Sequence, residues 1–146
     1  MQLQITPSYL AIKVIWKDEH MFEINVQATN GRYLGTTDVY ETSDNLANFA
    51  RLLLNYKAEK DLVYAAGKKD GYAYFGMKLS PINHSGHISL LINLEENVAT
   101  EYRDDEKDKL KLEIIVEPHA IDVFQQELLK LAIKEEGVAT LYGRTD

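Results

Sequence analysis

Two histidines three residues apart, His84 and His87, come nearest in this chain to the spacing of a metal site. Such a pair chelates best from one face of a helix, and Pro81 and Gly86 predict a turn there instead. No third ligand sits at a useful spacing, so His84 and His87 are expected to bind no metal. His20 falls in a loop and His119 in the first turn of a helix, neither with a ligand-spaced partner. Glu95 and Glu96 could in principle share acid–base work, but neighbouring strand residues point to opposite faces, and Glu95-Glu96-Asn97 reads as a hairpin end. A Ser, Thr or Lys nucleophile would need a positioned base or a sharp Gly-x-Ser-x-Gly elbow, which is missing. Gly31 with Gly35, and Gly67 with Gly71, lack the spacing of a phosphate-cradling loop. With no cysteine, thiol chemistry, Cys zinc sites and iron–sulfur clusters are excluded. The expectation is a non-enzymatic protein with no catalytic, cofactor-binding or metal residues.

Binding is left, and charge is its first guide. Sixteen Lys and Arg against 23 Asp and Glu give a formal charge of −7, a field that repels nucleic acid and anionic membranes. Acid is concentrated in Asp104, Asp105, Glu106 and Asp108, interleaved with Arg103, Lys107 and Lys109. That pattern predicts a solvated loop, and without a central Gly it is no EF-hand. Nine tyrosines invite a second surface. Tyr72 and Tyr74 alternate with Ala73, Phe75 and Met77, which predicts an exposed aromatic stripe opposite a buried face. Partner binding is therefore assigned to Asp104, Asp105, Glu106, Asp108, Tyr72 and Tyr74, and Trp16 is assigned to the core. A homo-oligomer stays open.

The elements that must position these residues are legible from periodicity. Leu10, Ile12, Val14 and Trp16 alternate with Ala11, Lys13, Ile15 and Lys17, and Lys17-Asp18-Glu19-His20 is polar enough to turn. Phe22, Ile24, Val26 and Ala28 alternate in turn, Asn30-Gly31 suits a type I′ hairpin, and Tyr33 to Tyr40 forms the partner strand. Thr42, Ser43 and Asp44 offer N-cap oxygens to a helix over 44–57 with Leu46, Phe49, Ala50 and Leu53 on one face. Leu62 to Ala66, Tyr72 to Leu79, His87 to Leu94 and Leu110 to Val116 read as strands, with Val98 to Arg103 a weak further one. Pro118 suits a helical first turn, and Ile121, Phe124, Leu128 and Leu131 extend that helix over 118–136, with Gly137 as its C-cap. Val138 to Tyr142 adds a short strand.

Each half thus reads as a meander of antiparallel strands followed by one amphipathic helix, the pattern of a duplicated unit, though identity between the halves is slight. A chain of 146 residues suits one core, and residues 1–146 are read as a single α+β domain. No run approaches a membrane span, and Met1 to Tyr9 lacks the basic start and apolar stretch of a signal peptide, so a soluble cytoplasmic protein is expected.

From Asp70 to Leu131 the chain resembles the WapI-type bacterial immunity proteins. The shared features are a polar turn leading to Ser85-Gly86-His87-Ile88-Ser89-Leu90-Leu91-Ile92-Asn93-Leu94, a variable acidic segment, a hydrophobic strand at Leu110 to Val116 and a helix with Ile121, Phe124 and Leu128. Val39-Tyr40 before the Leu46 to Phe49 helix fits as well. The resemblance implies a non-enzymatic cytoplasmic protein that binds and neutralises a toxin domain, often a nuclease, and an acidic binder suits a basic one. The alternative, from a different class, is a small-ligand binder or enzyme using a cleft between sheet and helices.

Overall fold

The computed structural model describes residues 7–83, 85–99 and 103–145. Alternating apolar residues draw the chain into strands β1 (Tyr9–Lys17), β2 (Phe22–Thr29) and β3 (Leu34–Glu41), followed by helix α1 (Ser43–Leu54) and strand β4 (Leu62–Gly67). The sequence of elements then repeats: β5 (Tyr74–Pro81), β6 (Ile88–Glu95) and β7 (Lys109–Val116), then α2 (Pro118–Lys134) and β8 (Val138–Tyr142). The strands form two antiparallel four-stranded sheets, ordered β3-β2-β1-β8 and β4-β5-β6-β7. The strand that follows each helix therefore joins the sheet of the other meander: β4 pairs with β5, and β8 with β1. The exchange ties the halves into one α+β body.

Phe49 and Phe124 lie the same number of residues beyond their N-caps, Thr42 and Glu117, and both are buried. The helices pack on each other, with Gln125 Nε2 donating to the Ala50 carbonyl at 3.1 Å and Ser43 Oγ to the Ala132 carbonyl at 2.7 Å. Their apolar faces join Leu10, Ile12, Phe22, Ile24 and Val26 of one sheet and Phe75, Leu79, Leu90 and Ile92 of the other in a single core. Burying such side chains contributes roughly 1.5–3 kcal/mol each, the term that offsets the entropy of ordering the chain.

Several local expectations are corrected. Only Gly31 of the β2–β3 turn takes a positive φ, so a type I′ turn, which needs two, does not form. Asn30 works through its side chain instead, Oδ1 accepting from Arg32 and Tyr33 N–H, both at 2.9 Å. Helix α1 stops at Leu54 rather than Lys57, because Asn55 turns back with Nδ2 on the Arg51 carbonyl. Helix α2 stops at Lys134 rather than Glu136, and its C-cap is Glu135, in the left-handed conformation, with Gly137 at positive φ two residues later. Strand β5 begins at Tyr74, leaving Tyr72 in the preceding turn. Val98 and Ala99 are not in a strand, and residues 100–102, the middle of the weak strand expected over 98–103, lie outside the described residues. Trp16 is not core: a bulge between Val14 and Trp16 breaks the alternation, and the indole stands 47% exposed, edge-on to Tyr40 at 6.2 Å.

Candidate functional site

Two of the expected binding residues, Asp108 and Tyr72, line cavities against β3, an edge strand of the first sheet. Asp104 opens a single 3-10 turn, Asp104–Glu106, its side chain lying outside the described residues. Asp105, Glu106 and Asp108 are exposed, and Glu106 pairs with Arg103 at 3.3 Å. Lys107, between them, instead folds inward, its side chain only 11% exposed.

Asp108 does more than project into solvent. With Glu96, Lys109, Leu94 and Leu110 it lines a cleft of about 430 Å³ whose far wall is Leu34, Gly35 and Thr36 of β3. The two sheets come together here because Gly35 has no side chain: a Cβ would lie 2.6 Å from Leu110 Cδ2. Thr37 Oγ1 donates to the Glu95 carbonyl at 2.7 Å and fixes the approach. Further along β3, a second cavity of about 170 Å³ is lined by Asp38, Val39 and Tyr40 on one side and Gly67, Lys68, Tyr72 and Ala73 on the other. Tyr72 is exposed, as expected. Tyr74 is half-buried and lies over Gly76, where a Cβ would stand 2.5 Å from its hydroxyl oxygen, so the two tyrosines do not form a continuous stripe.

Sequence reasoning missed the residues that complete this region. Glu95 is buried, its carboxylate accepting the Asp70 N–H at 2.8 Å with Lys107 Nζ 3.9 Å away. Adjacent Glu96 lines the cleft, so the two carboxylates do act in different places. Asp70 is held below the usual carboxylate range by the Lys109 ammonium at 2.5 Å. Glu41, at the end of β3, is buried and accepts from Tyr64 Oη, from Asn45 Nδ2 at 3.0 Å and from the Thr42 N–H at 2.8 Å. Burial and the Glu41 carboxylate together push the Tyr64 phenol far above its ordinary range. A glutamate directly before a Thr-capped helix was the available signal for Glu41. On the outer face of the same sheet, burial and the neighbouring Asp38 raise the Glu23 carboxyl.

His84 lies outside the described residues. His87 is half-buried at the mouth of the β5–β6 turn, its N–H directed to Asn83 Oδ1 at 3.4 Å. Among the described residues, no three His, Asp or Glu side chains group as metal ligands, and no helix is long and apolar enough to cross a membrane. The cavity bounded by both helices and the β6 end is small, about 140 Å³. Comparison with protein-family models, with curated proteins and with solved structures gives no match.

Proposed function

We propose that this chain is a non-enzymatic, acidic protein-binding module of the cytoplasm that docks on a basic partner domain and neutralises it, as an immunity protein does a nuclease-like toxin. The observation that supports this reading is a cleft whose wall is a strand edge and whose lining carries the carboxylates Glu96 and Asp108, with Asp105 and Glu106 exposed just before Asp108 in the chain. Carboxylates so placed steer a cationic partner and fix its register. The resemblance of residues 70–131 to WapI-type immunity proteins points the same way. The cavity between both helices and the β6 end, about 140 Å³, is below the roughly 300–1,000 Å³ usual for small-ligand pockets, although the one between α2 and β8 reaches about 390 Å³.

The test is co-expression with the product of the adjacent open reading frame, followed by association kinetics on the purified pair at two ionic strengths. Neutralising Asp104, Asp105, Glu106 and Asp108 to Asn or Gln is expected to slow association roughly tenfold at low salt and to flatten its salt dependence. An unchanged on-rate and salt slope would remove the loop from the recognition surface.

A further inference from the structure

Every sheet edge presents unpaired backbone groups that invite another strand, and two of this protein's edges are visibly occupied. On β8, the Thr140 N–H donates to Glu127 Oε1 of α2 at 3.0 Å. On β7, the Ile115 carbonyl accepts from the Arg144 N–H at 2.9 Å, because the chain runs on past β8 and crosses to the other sheet. Strand β3 holds the place in the first meander that β7 holds in the second. After β4, however, the chain must turn back through Lys68–Tyr72 to enter β5, so it does not run on along β3.

The ladder determines which groups β3 directs away from its partner strand. Gly143 N–H bonds the Ser8 carbonyl and Val14 N–H the Gly137 carbonyl, so Ser8, Leu10, Ile12 and Val14 face β8 while Tyr9, Ala11 and Lys13 face β2. Carried across β2, the alternation assigns Gly35, Thr37 and Val39 to the β2 ladder, in agreement with the Asn30 N–H on the Tyr33 carbonyl. Leu34, Thr36, Asp38 and Tyr40 therefore direct their N–H and C=O groups away from the sheet. At Leu34 and Thr36 those groups border the 430 Å³ cleft.

We propose that the β3 edge from Leu34 to Thr36 is a docking site for an extended, basic segment of a partner protein, which adds to the sheet as a fifth strand. The proposal rests on the protein-binding reading and names its mode. Main-chain hydrogen bonds to Leu34 and Thr36 supply affinity, and the cleft reads alternate side chains. Its apolar lining, Leu34 (59% exposed), Leu94 and Leu110, accepts an aliphatic side chain. Its carboxylates, Glu96 and Asp108, accept lysine or arginine, while Lys109 is drawn to Asp70. The acidic turn at Asp105 and Glu106 extends the same field, which is why the occupant is basic rather than neutral.

The probe is a fluorescein-labelled peptide of alternating lysine and valine, compared with one of alternating glutamate and valine, and read by anisotropy with amide exchange of the intact protein. The lysine peptide is expected to bind and to protect the Leu34 and Thr36 amides, and the glutamate peptide to do neither. Thr36→Pro removes one outward N–H, and the hydroxyl that accepts from Asn25 Nδ2 at 2.7 Å, while sparing the backbone ladder to β2, a place where an edge strand tolerates proline. It should weaken binding roughly tenfold, the effect of about one lost hydrogen bond. Glu96→Gln with Asp108→Asn should weaken it several-fold and flatten its salt dependence. No peptide binding, equal binding of both peptides, unprotected Leu34 and Thr36 amides, or a concentration-dependent dimer abolished by Thr36→Pro would each overturn the proposal. The amide measurement on the unmodified chain decides the matter should Thr36→Pro fail to fold. A Thr36→Pro chain that still captures its toxin at full affinity would sink this mode alone and leave the protein-binding reading standing.

Discussion

The two places where the sheets meet are equivalent in the repeat and opposite in construction. At the β7–β8 seam the chain beyond β8 lies between Ser8 and β7, and backbone bonds from Gly143 and Arg144 stitch the edges together. Where β3 crosses the second sheet, from Tyr64 of β4 to Leu110 of β7, the hydrogen bonds among the described residues start from side chains, Tyr64 to Glu41 and Thr37 to the Glu95 carbonyl of β6, and a cleft remains. Each seam has a glycine that permits close approach, Gly143 in one and Gly35 in the other. The difference lies in the chain beyond each exchanged strand: β8 is free to run on, whereas β4 is committed to a hairpin. A repeated fold can thus seal one edge and leave its counterpart open without any change in the core beneath.

The largest expected effect tests whether that core is common to both seams. Phe124 is fully buried, and Phe124→Ala should cost about 3–5 kcal/mol in a denaturant melt, with amide protection lost at both seams together. A loss below about 1 kcal/mol, or protection lost at one seam alone, would mean that the halves are separate cores. Next come the glycines. A Cβ at Gly143 would overlap Ser8 Oγ and stand 2.6 Å from Ile114 Cγ2, while one at Gly35 meets only the far end of Leu110 below 3 Å. Gly143→Ala should therefore cost about 1–3 kcal/mol and Gly35→Ala distinctly less. The reverse order in thermal melts would show the stitched seam to be the more yielding one.

Much of this was legible in the residues, and the failures have causes. Strict alternation from Phe22 to Ala28 and from Ile88 to Leu94, and helical spacing through Leu46 and Phe49 or Ile121 and Phe124, specify elements that the core then confirms. The repeat was visible as two meander-plus-helix runs. The exchange of β4 and β8 was not, because strand periodicity says which face is buried and nothing about which edge a strand joins. Trp16 was misplaced since a one-residue bulge leaves no mark in composition. Of the residues expected to bind, Asp105, Glu106, Asp108 and Tyr72 are exposed, and Asp108 and Tyr72 line the cavities beside β3. Glu96, Leu34 and the β3 edge were not expected, as their meeting depends on a contact between Gly35 and Leu110, far apart in the chain.

The open seam should also be the one that responds to alkali. Tyr64 links β4 to Glu41 at the end of β3, and its phenol is raised above the unfolded value of about 10. A raised acid contributes stability that is complete below the unfolded pKa and is lost as pH climbs above it toward the folded value. Stability should fall above about pH 10, and Tyr64→Phe should remove part of that slope at a cost of about 1–3 kcal/mol at neutral pH, since Glu41 loses a donor. Identical alkaline slopes in the two proteins would exclude Tyr64 as the titrating link.

The smallest effect sharpens the contrast between sealed and open edges. Glu127 reaches from α2 to the Thr140 N–H at 3.0 Å and occupies a group that a passing strand would otherwise use. Because the bond is solvent-exposed, Glu127→Ala should cost only about 0.5–1.5 kcal/mol, and the fold should persist. The informative readout is local. Amide exchange at Thr140 should accelerate toward the rate at Thr36, whose outward N–H has no such partner among the described residues, while Thr36 itself is unmoved. If Thr140 stays protected without Glu127, the helix shields β8 by packing alone, and the difference between the edges comes from coverage instead of hydrogen bonding. If Thr36 proves as slow as Thr140 in the unaltered chain, the β3 edge is not open in solution and the comparison between the seams fails at its base.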